Sequence, residues 1–452
     1  MGDKDASNAT TSICDANTRR RRHDKRALSV ESGSRSASNV DTAPDLERND
    51  DTPTPPSPST IRREDAALFE GYLHDYEVYV YPFHPIISVS EARDSIAHMD
   101  VSTEARAFVY GLVAVSINLT HSLRTTETSS GLPCDPSVQV AQWASRALEA
   151  MSPVLLDEDV TVRRITTVQF LHVCLMGLRR HRLAFYYLRQ AVSMVQMLRI
   201  DDASAIMASA GSFEQARRER LYWEVFVHER FYSISEQRTV LLLPLTRLPD
   251  LDDRFPYSVH HGFVQIIRLF LLIDSDFLAK WFATFHGVQD VTPDWIRAKH
   301  AEIDAESAGN DEEVTGLSEM QQADLVITKH WLRMLVWQIA MSKCLLSSEA
   351  SERHMSLLFP VRISARLREL LTDISKQAIE VHGSGIQQKL FELTDTIGNV
   401  ILTVPAASLE ETRQRVGDFK FLYELWVSLP RPNTLQKELL QSKLEKLDVP
   451  VG

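Results

Sequence analysis

Glycine is scarce in this chain, at 16 of 452 residues, well below the roughly 7% of ordinary proteins. Few Asn-Gly or Asp-Gly turns occur as well, and both scarcities argue against an all-β fold, because tight hairpins need residues that accept positive φ. Cysteine is scarcer still. Cys14, Cys134, Cys174 and Cys344 are the whole set, and no two lie close in sequence. No Cys-x-x-Cys pair exists, which argues against a disulfide framework and against a zinc site built on thiolates. Long apolar runs are missing too. None approaches the roughly 18 residues that a membrane helix needs, and the polar N-terminus does not read as a secretory leader. A soluble intracellular protein with no membrane association is the expectation.

Catalytic motifs are likewise absent. There is no Gly-rich phosphate loop of either nucleotide-binding type and no Gly-x-Ser-x-Gly elbow. His228-Glu229 is followed by Arg230 and lacks the second His of a zinc protease. The expectation is a protein that is not an enzyme, with no cofactor. Its net charge of −12 disfavours general binding of polyanions, so any nucleic-acid contact needs a local basic patch.

Such a patch stands near the start. Arg19, Arg20, Arg21, Arg22, Lys25 and Arg26 put six cations into eight residues of an otherwise acidic chain. The run reads as a nuclear import signal rather than only a solvated charge cluster. It sits in residues 1–60, which are rich in Ser, Thr, Asp, Asn and Arg and nearly free of large apolar side chains. Such a segment cannot bury enough surface to offset chain entropy and reads as a disordered tail. Pro53, Pro55, Pro56 and Pro58 stiffen its end.

Beyond the tail, apolar residues recur at helical spacing. Leu68, Phe69, Tyr72, Leu73, Tyr76 and Val80 form the first stripe, ended by Pro82 and Pro85. Phe108 to Leu119 forms the second, with Thr103 as its cap. Val138 to Met151 follows, then a stretch to Leu178 that begins after Asp157, Glu158 and Asp159, acids that suit a helix start. Leu183–Leu198, Phe213–Ile234, Phe263–Phe282, Ala323–Ser347, Ile363–Val381, Gly385–Leu402, Glu411–Val427 and Leu435–Leu447 read as further helices. Residues 301–320 are acidic and read as an exposed loop. The pattern predicts an all-α fold: a large irregular multi-helix domain over 61–450 that packs antiparallel helices.

Three short patterns invite a functional reading. Asp250-Leu251-Asp252-Asp253 matches the acid motif of all-α terpene cyclases, with Asp252 and Asp253 as the acids, but an Asp-rich turn after Pro249 explains it better. His382-Gly383-Ser384-Gly385 fits a helix end with a left-handed Gly better than a ligand loop. The helix from Ala216 to Ile234 is dense in charge. Arg220 can meet Glu224 at i,i+4 spacing, and ion pairs between packed helices are a better account of these charges than a catalytic acid. Trp331 and Trp337 lie on an apolar stripe and read as core.

At Arg218, Arg220, Leu221, Trp223, Phe226, Glu229 and Arg230 the chain resembles the middle homology region of fungal zinc-cluster transcription factors. Leu243 to Pro249, LPLTRLP, resembles the tail that follows this helix. Ala184–Ile200, His330–Leu346, Ala378–Leu402 and Tyr81–Ile86 resemble other segments in the same order, so the likeness runs over most of 70–430. It implies an α-helical regulatory domain, implicated in inducer response and without catalytic residues. It implies a nuclear regulator of a metabolic pathway or secondary-metabolite gene cluster. Its partners would be the transcription machinery or another zinc-cluster factor, with a small-molecule inducer. The family's DNA-binding module uses six closely spaced cysteines, and only Cys14 lies upstream of the region. DNA contact is therefore open between a direct route and a partner. The alternative is an adaptor or inhibitor that pairs with a complete zinc-cluster factor.

Overall fold

The computed structural model describes residues 61–120, 135–151, 160–200, 212–252, 254–286, 290–308, 316–347 and 352–447. Among these the fold is all-α, with one isolated bridge between Ser347 and Ser356 and no strand. Among the described residues no helix is long and apolar enough to cross a membrane. The basic run Arg19–Arg26, with Cys14 and Cys134, lies outside the described residues.

The first half is built on α1 (Ile61–Asp75), α2 (Val89–His98), α3 (Thr103–Leu119), α4 (Pro136–Ala150), α5 (Val162–Gly177) and α6 (His181–Met197). A π-turn over Tyr76–Val80 follows α1. Helix α3 is apolar on nearly every face, from Ala105 to Leu119, as a helix surrounded by others must be. It packs most extensively on α4 and α5, and α5 packs on α6. Helix α7 (Ser212–Glu236) leans on α6, α5 and α8 (Tyr257–Leu271).

The second half continues with α9 (Ser275–His286), α10 (Pro293–Ala308) and α11 (Glu319–Ser342). It ends with α12 (Phe359–Leu371), α13 (Lys376–Glu380), α14 (Gly383–Thr403), α15 (Leu409–Ser428) and α16 (Thr434–Leu447). Here α11 packs on α14, which packs on α15 and α16. Trp223, Trp331, Trp337 and Trp426 are fully buried, so Trp331 and Trp337 are core, as their stripe predicts. Each such side chain removes roughly 150–250 Å² from water.

Helix boundaries follow local side-chain chemistry. Ser88 and Glu91 form a capping box at α2, and Ser318 and Gln321 form another at α11. Each satisfies backbone N–H groups that the first turn leaves unpaired. The cap of α3 is Ser102, which accepts from Ala105 N at 3.1 Å, and not the predicted Thr103. The cap of α5 is Thr161, accepting from Arg164 N at 3.0 Å. The acids Asp157–Asp159 assigned to that helix start lie outside the described residues.

Two periodic segments and one expected loop come out differently. The single helix expected over Phe263–Phe282 is two, because the Asp274 side chain accepts from Phe277 N at 2.7 Å and starts a new helix. The segment Ile363–Val381 is likewise split. Ser375 caps α13 by accepting from Ala378 N at 3.2 Å. Apolar periodicity ran through both breaks because both flanking helices face the same core. The loop expected over 301–320 is helical at both ends, through Ala308 and from Glu319. Ile303 is buried and anchors the first of these, and 309–315 lies outside the described residues.

Candidate functional site

Helix α7 has two working faces. One holds the extended segment that follows it. Glu229 Oε1 accepts from Leu241 N at 2.9 Å and Oε2 from Leu242 N at 2.9 Å. Arg189 donates to Oε1 at 2.6 Å, and Arg230 lies 3.5 Å from Oε2. Arg230 also donates to Leu242 O at 2.8 Å and covers the Phe226 ring. Tyr222 donates to Leu243 O at 2.6 Å, and Trp223 Nε1 to Arg247 O at 3.3 Å. The apolar tail is therefore not a strand. It lacks a neighbouring strand, and side chains of α7 satisfy its backbone instead.

The other face of α7 opens on a cavity of about 150 Å³. The turn Pro82–His84, the end of α3, α5, α8, α11 and the segment from Val381 into α14 supply its remaining walls. Val227, Phe231, Phe263, Ile266 and Phe270 make an apolar side. The other side is polar: His84, Glu224 and His228 at one end, Asp324, His382 and Lys389 at the other. This is the make-up of a small-molecule site, apolar walls with a few convergent polar groups.

The two polar ends differ in kind. Lys389 Nζ donates to Thr328 Oγ1 at 2.6 Å and to Asp324 Oδ1 at 3.3 Å. The ammonium also lies over the rings of Phe231, Phe270 and Trp331, at 5.4–5.8 Å, so cation–π attraction adds to the ion pair. Burial works against the charge of Asp324, but Lys389 and His382 beside it hold the carboxyl below its ordinary value. His382 Nε2 donates to Met320 O at 2.9 Å.

At the first end, His84 Nδ1 donates to Glu224 Oε1 at 2.8 Å. Glu224 Oε2 is buried and has no hydrogen-bond partner. The His228 ring packs between those of His84 and His172, with centroids at 5.9 and 5.3 Å. Burial lowers the His228 pKa well below its usual value, and His172, His84 and Lys389 add to this. Burial also lowers His172 to about 4, and its Nδ1 donates to Ala184 O at 2.9 Å. Both rings are neutral near pH 7.

Glycine shapes the cavity at two points. A Cβ at Gly262 would lie 2.3 Å from Gln321 Nε2, which donates to Ser258 O at 2.8 Å. Gly383 has φ +61°, the left-handed turn expected of that segment. The ligand-loop reading of the same residues also has physical support, since His382, Ser384 and Gly385 line the cavity.

The residues singled out from sequence divide sharply. Leu221, Trp223 and Phe226 are buried core, and Arg220, Glu229 and Arg230 are buried and charged. Arg218 donates to Glu214 Oε1 at 2.9 Å. None of these seven lines the cavity. The expected Arg220–Glu224 pair does not form. Arg220 donates instead to Pro85 O at 3.0 Å and covers the Phe255 ring, while Glu224 turns to His84. Arg220 thereby fixes the turn that carries His84. Asp252 is a turn former: its Oδ1 accepts from Arg254 N at 3.0 Å. Neither it nor Asp250 is in the cavity wall, and Asp253 lies outside the described residues. Sequence reading missed Glu224 and His228 as site residues. Their signal was present: His and Glu at i,i+4 spacing share one helix face.

The zinc module of the resembled family is not matched by the described cysteines. Cys174 is buried, its thiol pushed upward by burial, and Cys344 is exposed on a different helix end.

No protein-family model matches the chain. Three curated fungal proteins are similar to it at low identity. A probable sucrose utilization protein of Candida albicans, SUC1, is 23% identical over 349 residues, 76% of this chain and 67% of that protein. The respiratory transcription factor ZNF1 of Saccharomyces cerevisiae is 20% identical over 348 residues, 75% of this chain and 71% of that protein. The maltose fermentation regulatory protein MAL63 of the same yeast is 23% identical over 243 residues, 53% of this chain and 49% of that protein. Two of the three are named as regulators, one a transcription factor and one a regulatory protein, and none is named as an enzyme.

Proposed function

We propose that the chain is a fungal transcriptional regulator of metabolic genes, acting in the nucleus, whose helical body over 61–450 holds an effector in the cavity. The observation that carries this reading is the alignment of about three quarters of the chain with SUC1 and with ZNF1. The cavity supports the sensing part. Three segments far apart in sequence, Pro82–His84, Glu224–Phe231 and Val381–Lys389, meet at its wall. Each overlaps or adjoins a segment whose sequence resembles the regulatory region of zinc-cluster factors. A ligand between them would couple the two halves of the fold, and a change in their packing is the kind of two-state element that a partner can read.

The test is transcript abundance across the genome after deletion and after overexpression of the gene. A coherent set of metabolic genes moving in opposite directions is expected. No coherent change in either strain would refute the reading. Import through Arg19–Arg22 belongs to the same proposal. Alanine at these four positions should abolish nuclear accumulation of the full chain, and an unchanged nuclear signal would remove that role.

A second reading, an adaptor that pairs with a complete zinc-cluster factor, is favoured by the tail of α7. Leu241 and Leu243 are 51% and 75% exposed on a segment whose backbone is already fixed, and exposed apolar side chains held in place suit a protein partner. Purified chain that binds no promoter DNA at physiological salt, but does so once such a factor is added, would support the adaptor. Binding by the chain alone would exclude it.

A further inference from the structure

We infer that His84, Glu224 and His228 form a binding site for a single divalent transition-metal ion of the zinc class at the polar end of the cavity. One nitrogen of each imidazole and one carboxylate oxygen lie within 4.8 Å of one another. Around zinc, with bonds of about 2.1 Å, such atoms stand roughly 3.4 Å apart. Binding therefore requires the three groups to draw together from their present spacing.

The ligands are well supported. Glu224 and His228 sit one turn apart on α7, so one rigid helix presents both. His84 is set by the turn before Pro85, whose carbonyl oxygen accepts from Arg220 at 3.0 Å. His172 packs edge-on against His228. Two imidazoles and a carboxylate, without a thiolate nearby, match the borderline donor set that zinc accepts and that calcium and magnesium do not favour.

Two further facts call for a cation here. Glu224 Oε2 is buried with no partner, and a buried carboxylate with an empty lone pair is costly unless something positive completes it. The existing contact uses the proton between His84 Nδ1 and Glu224 Oε1. An ion bound at Nδ1 would take that proton's place, and the neutral imidazole would carry its proton on Nε2 instead. Lys389 is the opposing charge in the cavity, but Asp324 offsets it at 3.3 Å. All three groups line the cavity, so an ion held by them would be accessible to water or to an oxygen of a bound small molecule. This site is independent of the regulatory reading, because it is tested on purified protein without any transcript measurement.

The experiment is metal binding by the purified full chain, using zinc by equilibrium dialysis and cobalt as a spectroscopic probe. One zinc per chain is expected, with visible cobalt absorption typical of low coordination number. X-ray absorption at the zinc edge should show two imidazoles and oxygen, with no sulfur. Glu224→Gln and His228→Gln should each weaken binding by more than about 100-fold, beyond the loss typical of outer-shell changes. His330→Gln, a buried histidine elsewhere, should leave it unchanged. No retained zinc, sulfur in the zinc shell, or equal binding by wild type and Glu224→Gln would each overturn the site. The absorption measurement uses wild-type protein alone, so it decides the matter even if a variant does not fold.

Discussion

Glu224 and Glu229 lie on the same helix and are equally buried, each at 2% exposure, yet they have opposite fates. Glu229 faces the extended tail, and both its oxygens are engaged by backbone N–H groups and arginines. Glu224 faces the cavity, where one oxygen meets His84 and the other meets nothing. A buried carboxylate with every lone pair filled is part of the architecture. One left half-satisfied marks a place where stability has been given up, and such places are where binding happens. The helix thus divides into a face that holds the fold and a face that can hold a ligand.

That division can be attacked in four ways, which differ in size. The comparison holds at neutral pH, and acid removes its background most strongly. Burial lowers His300 from 6.5 to about 3 and His330 from 6.5 to about 4. Their folded pKa values lie below the unfolded value, so the unfolded chain binds more protons between the two. Stability is full above about pH 6.5 and falls as pH drops toward 4, by about 3 kcal/mol for each residue. Urea midpoints measured down this range should show it, and the double variant His300→Gln, His330→Gln should flatten the slope.

Glu229→Ala comes next. It leaves two backbone N–H groups and Arg189 without an acceptor and the buried Arg230 without its counter-ion, a loss of about 3–5 kcal/mol. A drop in thermal midpoint accompanied by proteolysis near Leu241 would confirm the tail-holding role. Gly262→Ala should cost about 1–3 kcal/mol, because the new Cβ meets Gln321 and must push it from Ser258 into the cavity. Ligand or metal binding should weaken with it. Glu224→Gln should change stability by less than about 1 kcal/mol, since the amide keeps the shape and one hydrogen bond. If instead Glu224→Gln destabilises as much as Glu229→Ala, the two faces are not different in kind.

Much of this was legible beforehand. The stripes that gave α3, α7 and α14 needed only the 3.6-residue period, and Trp331 and Trp337 fell in the core for the same reason. Two breaks, at Asp274 and Ser375, were hidden because a cap is one side chain inside an unbroken apolar pattern. Arg220 was paired with Glu224 on helix spacing, the nearest partner a sequence offers. The fold had a better one in the Pro85 carbonyl, 135 positions away. Family-like residues drew attention to the tail-holding face, while Glu224 and His228, between them, held the cavity.

The sequence by itself determined that the chain is helical, where most of its stripes lie, and that no familiar catalytic motif is present. These follow from local spacing and residue type, which act over one or two turns. Only the tertiary structure decided that His84, Glu224 and His228 share one end of a cavity, and Asp324, His382 and Lys389 the other. That outcome depends on which helix faces meet across long stretches of chain. Packing in three dimensions fixes it, and no local pattern encodes it.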